Sequence, residues 1–134
     1  MNKLKRFLLI DDSSATNFFN KTIIEKTNYV DEVLVATNGK EALAYIKKET
    51  LPEIIFLDLN MPVMNGWEFL DAYQMLEDSL RNSVIIIMLG ASLTKEEEKR
   101  LECISQVKGF KEKMLTKDTL HQIISIHFPE VISK

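Results

Sequence analysis

Residues 54–62, IIFLDLNMP, run four apolar residues directly into an aspartate and close on a proline. Such an apolar run reads as a strand covered on both faces, where an unpartnered carboxylate would be severely penalised. Asp58 therefore stands at an exposed strand end or shares its site with cations. RFLLID (6–11), EVLVAT (32–37), EIIFLDL (53–59), VIIIMLG (84–90) and QVKGF (106–110) read as five strands, the first four almost continuously apolar. Segments of helical periodicity separate them. Asn38 with Glu41, and Thr94 with Glu97, have the spacing in which a cap side chain and a third-position glutamate satisfy each other's backbone donors. Asn65 and Thr116 stand as caps before GWEFLDAYQML (66–76) and KDTLHQIISIHF (117–128). Strict alternation of strand and helix predicts right-handed crossovers and a doubly wound, five-stranded parallel sheet of the α/β class. Ligands of such sheets collect outside the carboxyl ends of the strands.

That edge is where the charged residues fall. Asp11 and Asp12 end the first strand and Asp58 ends the third, so neighbouring placement of these strands brings three carboxylates to one rim. Like charges so close raise one another's pKa unless a cation joins them. Few hard oxygen ligands completed by water suit Mg²⁺ or Mn²⁺, whereas zinc prefers imidazole or thiolate. His121 and His127 are six apart on the last helix and do not share a face, so they read as solvated or packing residues. Lys113 follows the fifth strand and would bring an ammonium group to the same rim.

Composition narrows the function classes. The 134 residues fit one domain, taken as 1–134, with no effector domain expected after the PEVISK end (129–134). Apolar residues make up 46% and charged residues 28%, and no apolar run approaches the ~20 residues needed to span a membrane. The basic start MNKLKRFLLI (1–10) meets two aspartates after a short apolar run, unlike an export signal. A net charge of −3 gives no electrostatic case for nucleic acid. A single cysteine, Cys103, excludes an internal disulfide and reads as a buried helical residue. A cytoplasmic protein with protein partners, and neither nucleic-acid nor membrane binding, is the expectation.

FLLIDDSS (7–14), IIFLDLNMPVMNGWEFL (54–70) and VKGFKEKMLTKDTL (107–120) together resemble the receiver domain of bacterial two-component response regulators. The resemblance spans essentially the whole chain and is most specific from Asp58 through Asn60, Met61, Pro62, Met64, Asn65 and Gly66. It implies the flavodoxin-like, CheY-like (βα)5 fold with strand order 2-1-3-4-5. It further implies that Asp58 accepts a phosphoryl group from a histidine kinase or a histidine phosphotransfer protein. Mg²⁺ would be held by Asp12, Asp58 and the backbone carbonyl of Asn60, with Asp11 acting through a bound water. Lys113 would pair with the phosphoryl oxygens. The usual partner surface of the family corresponds to the 94–128 face.

Two positions depart from the family pattern. Gly90 stands where receivers usually carry the Thr or Ser whose hydroxyl binds the phosphoryl group, so that trigger is missing. The amides of Gly90 and Ala91, or the Ser92 side chain, are the remaining candidates for that contact. Met114 replaces the proline that commonly follows the lysine, so the Lys113–Met114 peptide is expected to be trans. Phe110 resembles the aromatic switch position and, without the hydroxyl, reads as core packing. Met61, Met64 and Trp67 beside the acceptor read as packing residues. Two readings follow: a phosphoacceptor that signals through protein contacts, or a degenerate receiver acting as a phosphorylation-insensitive binding module. A flavin protein of similar architecture is disfavoured because DDSSAT (11–16) would repel a phosphate.

Overall fold

The computed structural model describes residues 3–132; Met1, Asn2, Ser133 and Lys134, the ends of the expected 1–134 domain, lie outside the described residues. Five parallel strands, β1 (Leu4–Ile10), β2 (Val30–Ala36), β3 (Ile54–Asp58), β4 (Val84–Leu89) and β5 (Val107–Glu112), form one sheet in the order β2-β1-β3-β4-β5. Helices α1 (Ser14–Thr27), α2 (Gly39–Lys47), α3 (Gly66–Gln74), α4 (Lys95–Glu102) and α5 (Lys117–His127) complete the doubly wound fold. Both expected features, the class and the strand order, are present. No helix among the described residues is long and apolar enough to cross a membrane.

The apolar runs are continuous because both faces of the sheet are covered. Leu8, Ile10, Ile55, Leu57, Ile85 and Ile87 pack with residues of α2, α3 and α4. Their neighbours in sequence, Phe7, Leu9, Ile54, Phe56, Ile86 and Met88, point the other way and pack with residues of α1 and α5. Central β3 is buried at every position. β5, at the edge, has no buried residue. Val107 pairs with Ile85 and Gly109 with Ile86, so Lys108 is an extra residue in the ladder. This bulge lets Val107 and Phe110, three apart, pack into the same core.

Element ends differ from the sequence reading in detail. β1 starts at Leu4 and stops before Asp11, and β5 continues to Glu112. Asn65 with Glu68 and Thr94 with Glu97 form reciprocal capping pairs. Asn38 caps α2, but Glu41 reaches past it to the N–H and hydroxyl of Thr37, at 2.7 and 2.8 Å. Cys103 corrects the expected buried cysteine: it is exposed at the C-cap of α4. Leu101 points into the core, and a residue two positions later lies on the opposite side of the helix.

One close approach positions the site. The Gly66 N–H donates to the Leu59 carbonyl at 3.0 Å. A Cβ on Gly66 would lie 2.6 Å from the Asp58 carbonyl oxygen and 2.7 Å from Leu59 Cα. Only glycine lets α3 begin this close to the end of β3. Gly66→Ala should therefore lower unfolding free energy by about 1–3 kcal/mol through overpacking, measured by urea denaturation.

Candidate functional site

The sheet register delivers the acidic residues to one rim. Ile10 pairs with Leu57 across β1 and β3, so Asp11 and Asp58 each follow directly on a paired residue. Asp11, Asp12 and Asp58 each offer a carboxylate oxygen within 4.8 Å of the others. On the far side, β4 and β5 bring Leu89 opposite Glu112, and the Lys113 N–H continues the ladder to the Leu89 carbonyl at 3.1 Å. Lys113 Nζ then lies 3.5 Å from Asp11 Oδ2 and 3.4 Å from Asp58 Oδ2. Two strand ends and a loop meet at one ammonium group.

Burial decides the alternative left open for Asp58. It is 3% exposed, so it does not end in solvent; it shares its site with a cation. Asp58 Oδ1 accepts the Asn60 N–H at 3.2 Å, whereas buried Oδ2 has no hydrogen bond and only the ion-pair approach of Lys113. Asp11 is 5% exposed, and its Oδ1 accepts the Ser13 N–H at 2.9 Å. Burial pushes the Asp11 carboxyl above the ordinary carboxylate range and the charge of Asp58 adds to this, against the opposing Ser13 bond and Lys113. Burial disfavours the Lys113 ammonium, but Asp11 and Asp58 together outweigh it and hold its pKa above the usual lysine value. Asp12 and Asn60 are exposed beside the buried pair.

Three carboxylates against one ammonium leave excess negative charge, and a buried acceptor oxygen lacks a hydrogen-bond partner. A hard divalent cation fits this all-oxygen set. Among the described residues, Asp11, Asp12 and Asp58 are the grouped carboxylates that could hold it.

Beside Lys113, a cleft of about 500 Å³ is lined by Gly90, Ala91, Ser92, Glu112 and Met114. Gly90 is exposed, and no described glycine has positive φ. A Cβ on Gly90 would meet only Lys113 Cδ, at 3.7 Å. Neither backbone nor space demands glycine here. None of the described peptide bonds is cis, so Lys113–Met114 is trans as expected. Phe110, Met61, Met64 and Trp67 pack against the core, also as expected.

Sequence reasoning missed Asn17 and Asn20, both 3% exposed on the inner side of α1. Asn17 Nδ2 donates to the Asp11 carbonyl at 2.8 Å. Asn20 Nδ2 donates to the Lys113 carbonyl at 3.1 Å, and its Oδ1 accepts the Leu115 N–H at 2.9 Å. The only signal available was their spacing with Ile24, which adjacent Phe18 and Phe19 obscured.

The family model for the response regulator receiver domain matches residues 7–125. The chain belongs to this family. The receiver is 37% identical over 83 residues to chemotaxis protein CheY of Thermotoga maritima, covering 62% of this chain and 65% of that one. It is 34% identical over 99 residues to protein-glutamate methylesterase/protein-glutamine glutaminase 3 of Burkholderia thailandensis, covering 74% of this chain and 26% of the relative. The chain thus spans about a quarter of the length of the methylesterases it matches, and the match is confined to their receiver portion. A two-component response regulator from Cytophaga hutchinsonii superposes with a TM-score of 0.82 at 30% identity, covering 99% of this chain and 100% of that one. Chemotaxis response regulator CheY4 of Vibrio cholerae superposes with a TM-score of 0.74 at 26% identity, covering 92% and 98% respectively. Receiver domains are signalling domains that interact with a kinase or phosphotransfer partner and bind Mg²⁺ at an acidic pocket.

Ionised Asp11 is the destabilised form in the fold. Its cost is absent below the ordinary carboxylate pKa and fully present once pH exceeds the raised value. Mg²⁺ should consequently raise the melting temperature at pH 7, by the equivalent of about 2.7 kcal/mol at a hundredfold excess over Kd. The shift should shrink in acid as Asp11 protonates and should be lost in Asp12→Ala and Asp58→Asn; a thermal scan with and without the ion checks this.

Proposed function

We propose that this receiver accepts a phosphoryl group on Asp58 from a phosphohistidine of a kinase or phosphotransfer protein and signals through protein contacts. The observation that carries this reading is the pairing of Lys113 Nζ with Asp58 Oδ2, a buried oxygen with no hydrogen bond of its own. In the transfer, a carboxylate oxygen of Asp58 attacks phosphorus. An O–P bond forms as the P–N bond breaks, and the bonding pair leaves with the imidazole nitrogen, which takes up a proton. The Asn60 N–H on Oδ1 restrains the carboxylate, and Lys113 stands ready to pair with the phosphoryl oxygens. Asp12, Asp58 and the Asn60 carbonyl would hold Mg²⁺ or Mn²⁺, with Asp11 acting through water. When bound, the ion supplies positive charge against which the anionic carboxylate and phosphoryl oxygens approach each other.

The surface formed by residues 94–128 is the proposed route to a downstream protein. Its helix α4 exposes Lys95, Glu96, Glu98, Lys99 and Arg100 and buries Leu101. A cytoplasmic setting accords with kinase access.

Incubation with Mg²⁺ and acetyl phosphate should add about 80 Da, the mass of HPO₃, to the intact protein. The gain should vanish in Asp58→Asn and in EDTA, and Lys113→Ala should slow it by roughly 10²-fold. No gain from acetyl phosphate or any candidate kinase would sink this reading.

Gly90 favours a second reading, a receiver whose partner-binding surface is insensitive to phosphorylation. The position carries no hydroxyl, yet accepts a Cβ in ordinary contact with Lys113 Cδ. Gly90→Thr should fold normally, because φ is not positive there. The two readings separate in NMR spectra recorded with beryllofluoride, a phosphoryl mimic. Gly90→Thr should shift amides around Phe110 more than wild type does; equal and large shifts in both would show that Gly90 does not limit switching.

A further inference from the structure

The inner side of α1 carries amides where an apolar stripe is the usual solution. Asn17, Asn20 and Ile24 are its buried residues, whereas Phe18 is 74% and Phe19 40% exposed. Their i, i+3, i+7 spacing puts the three on one face. Burying an amide is unfavourable unless its polar atoms find partners, and here the partners are backbones of site loops. Asn20 bridges the Lys113 carbonyl and the Leu115 N–H, closing around exposed Met114. Asn17 holds the Asp11 carbonyl, although its own Oδ1 is buried without a partner. A leucine at position 17 would avoid that orphaned oxygen, so what asparagine contributes is the donor to Asp11.

Lys113 needs such support. It leaves an edge strand with no buried residue and an irregular register, so core packing along β5 does not fix its approach. Its N–H is held by Leu89, but its carbonyl lies beyond the ladder and is held by Asn20. We infer that Asn17 and Asn20 are positioning residues for phosphoryl transfer: from one face of α1 they hold the backbones of Asp11 and Lys113 and set the spacing between the acidic pocket and the ammonium group. The inference rests on the phosphoacceptor reading above. It also separates the two amides by consequence. Asn20 acts through Lys113 on the transfer rate, while Asn17 acts through Asp11 on cation affinity.

The test measures initial phosphorylation rate from acetyl phosphate at saturating Mg²⁺, and Mg²⁺ affinity by isothermal titration calorimetry. Asn20→Leu should slow transfer at least about tenfold with Mg²⁺ affinity changed by less than about twofold, as expected for displacement of one reacting group. Asn17→Leu should weaken Mg²⁺ binding by about tenfold, as loss of outer support around a metal site does. In a Lys113→Ala background, Asn20→Leu should slow transfer no further, because the two act as one unit. Multiplicative losses in that double variant, or rate and affinity falling together with melting temperature, would reduce the pair to scaffold residues and overturn the inference. Should Asn20→Leu not fold, Asn20→Ser, too short to span both partners, replaces it. If wild-type protein takes no phosphoryl group, the functional reading fails. The clamp is then judged by hydrogen exchange of the Leu115 amide, which should quicken at least about tenfold in Asn20→Ser; unchanged exchange overturns it.

Discussion

The ammonium group of Lys113 lies between two buried carboxylates, 3.5 Å from Asp11 and 3.4 Å from Asp58, and the geometry of the rim follows from that pairing. Without it, Asp11 and Asp58 would face each other across a poorly solvated gap, and one would have to protonate or the strand ends would separate. The surrounding structure keeps the three together. Apolar β1 and β3 bring the acids side by side, and β4 and β5 carry the lysine round to meet them. Gly66 lets the capped start of α3 press on the backbone of Asp58 and Leu59. The amides of α1 tie down the loops that follow β1 and β5.

The balance is deliberately incomplete in the electrostatic sense: a third carboxylate, Asp12, stands at the same place, and Asp58 Oδ2 has no hydrogen bond. A fold selected for stability alone would fill such a position with apolar groups. Excess negative charge and an unsatisfied oxygen are instead what an acidic pocket of the kind in which receiver domains bind Mg²⁺ requires. Strain of this kind, compensated by two extensive apolar cores, is common where a protein performs chemistry.

Away from the rim, the contacts connect the site to the surface. Trp67 follows Gly66 at the start of α3, and Arg100 of α4 stacks over its ring at 4.5 Å and approaches Asp71 to 3.4 Å. The α4 helix is therefore linked to the segment that begins at the acidic site, although Leu101 is its only buried residue. Phe110 packs into the same core through the bulge at Lys108. The cleft between Gly90 and Met114 remains open beside Lys113, since glycine puts nothing into it.

Much of this was legible in the chain itself. Continuous apolar runs broken by capped helical segments determined the class of sheet, and strand-terminal aspartates determined which edge would carry the acidic cluster, because burial and alternation are local properties of the pattern. Asn65, Thr94 and Thr116 marked helix starts since a cap needs only its own next three residues. Tertiary structure alone decided that Asp58 is buried and that α1 turns Asn17 and Asn20 inward while Phe18 faces out. Those outcomes depend on hydrogen bonds and ion pairs between residues as much as 95 apart in sequence, which no local periodicity encodes.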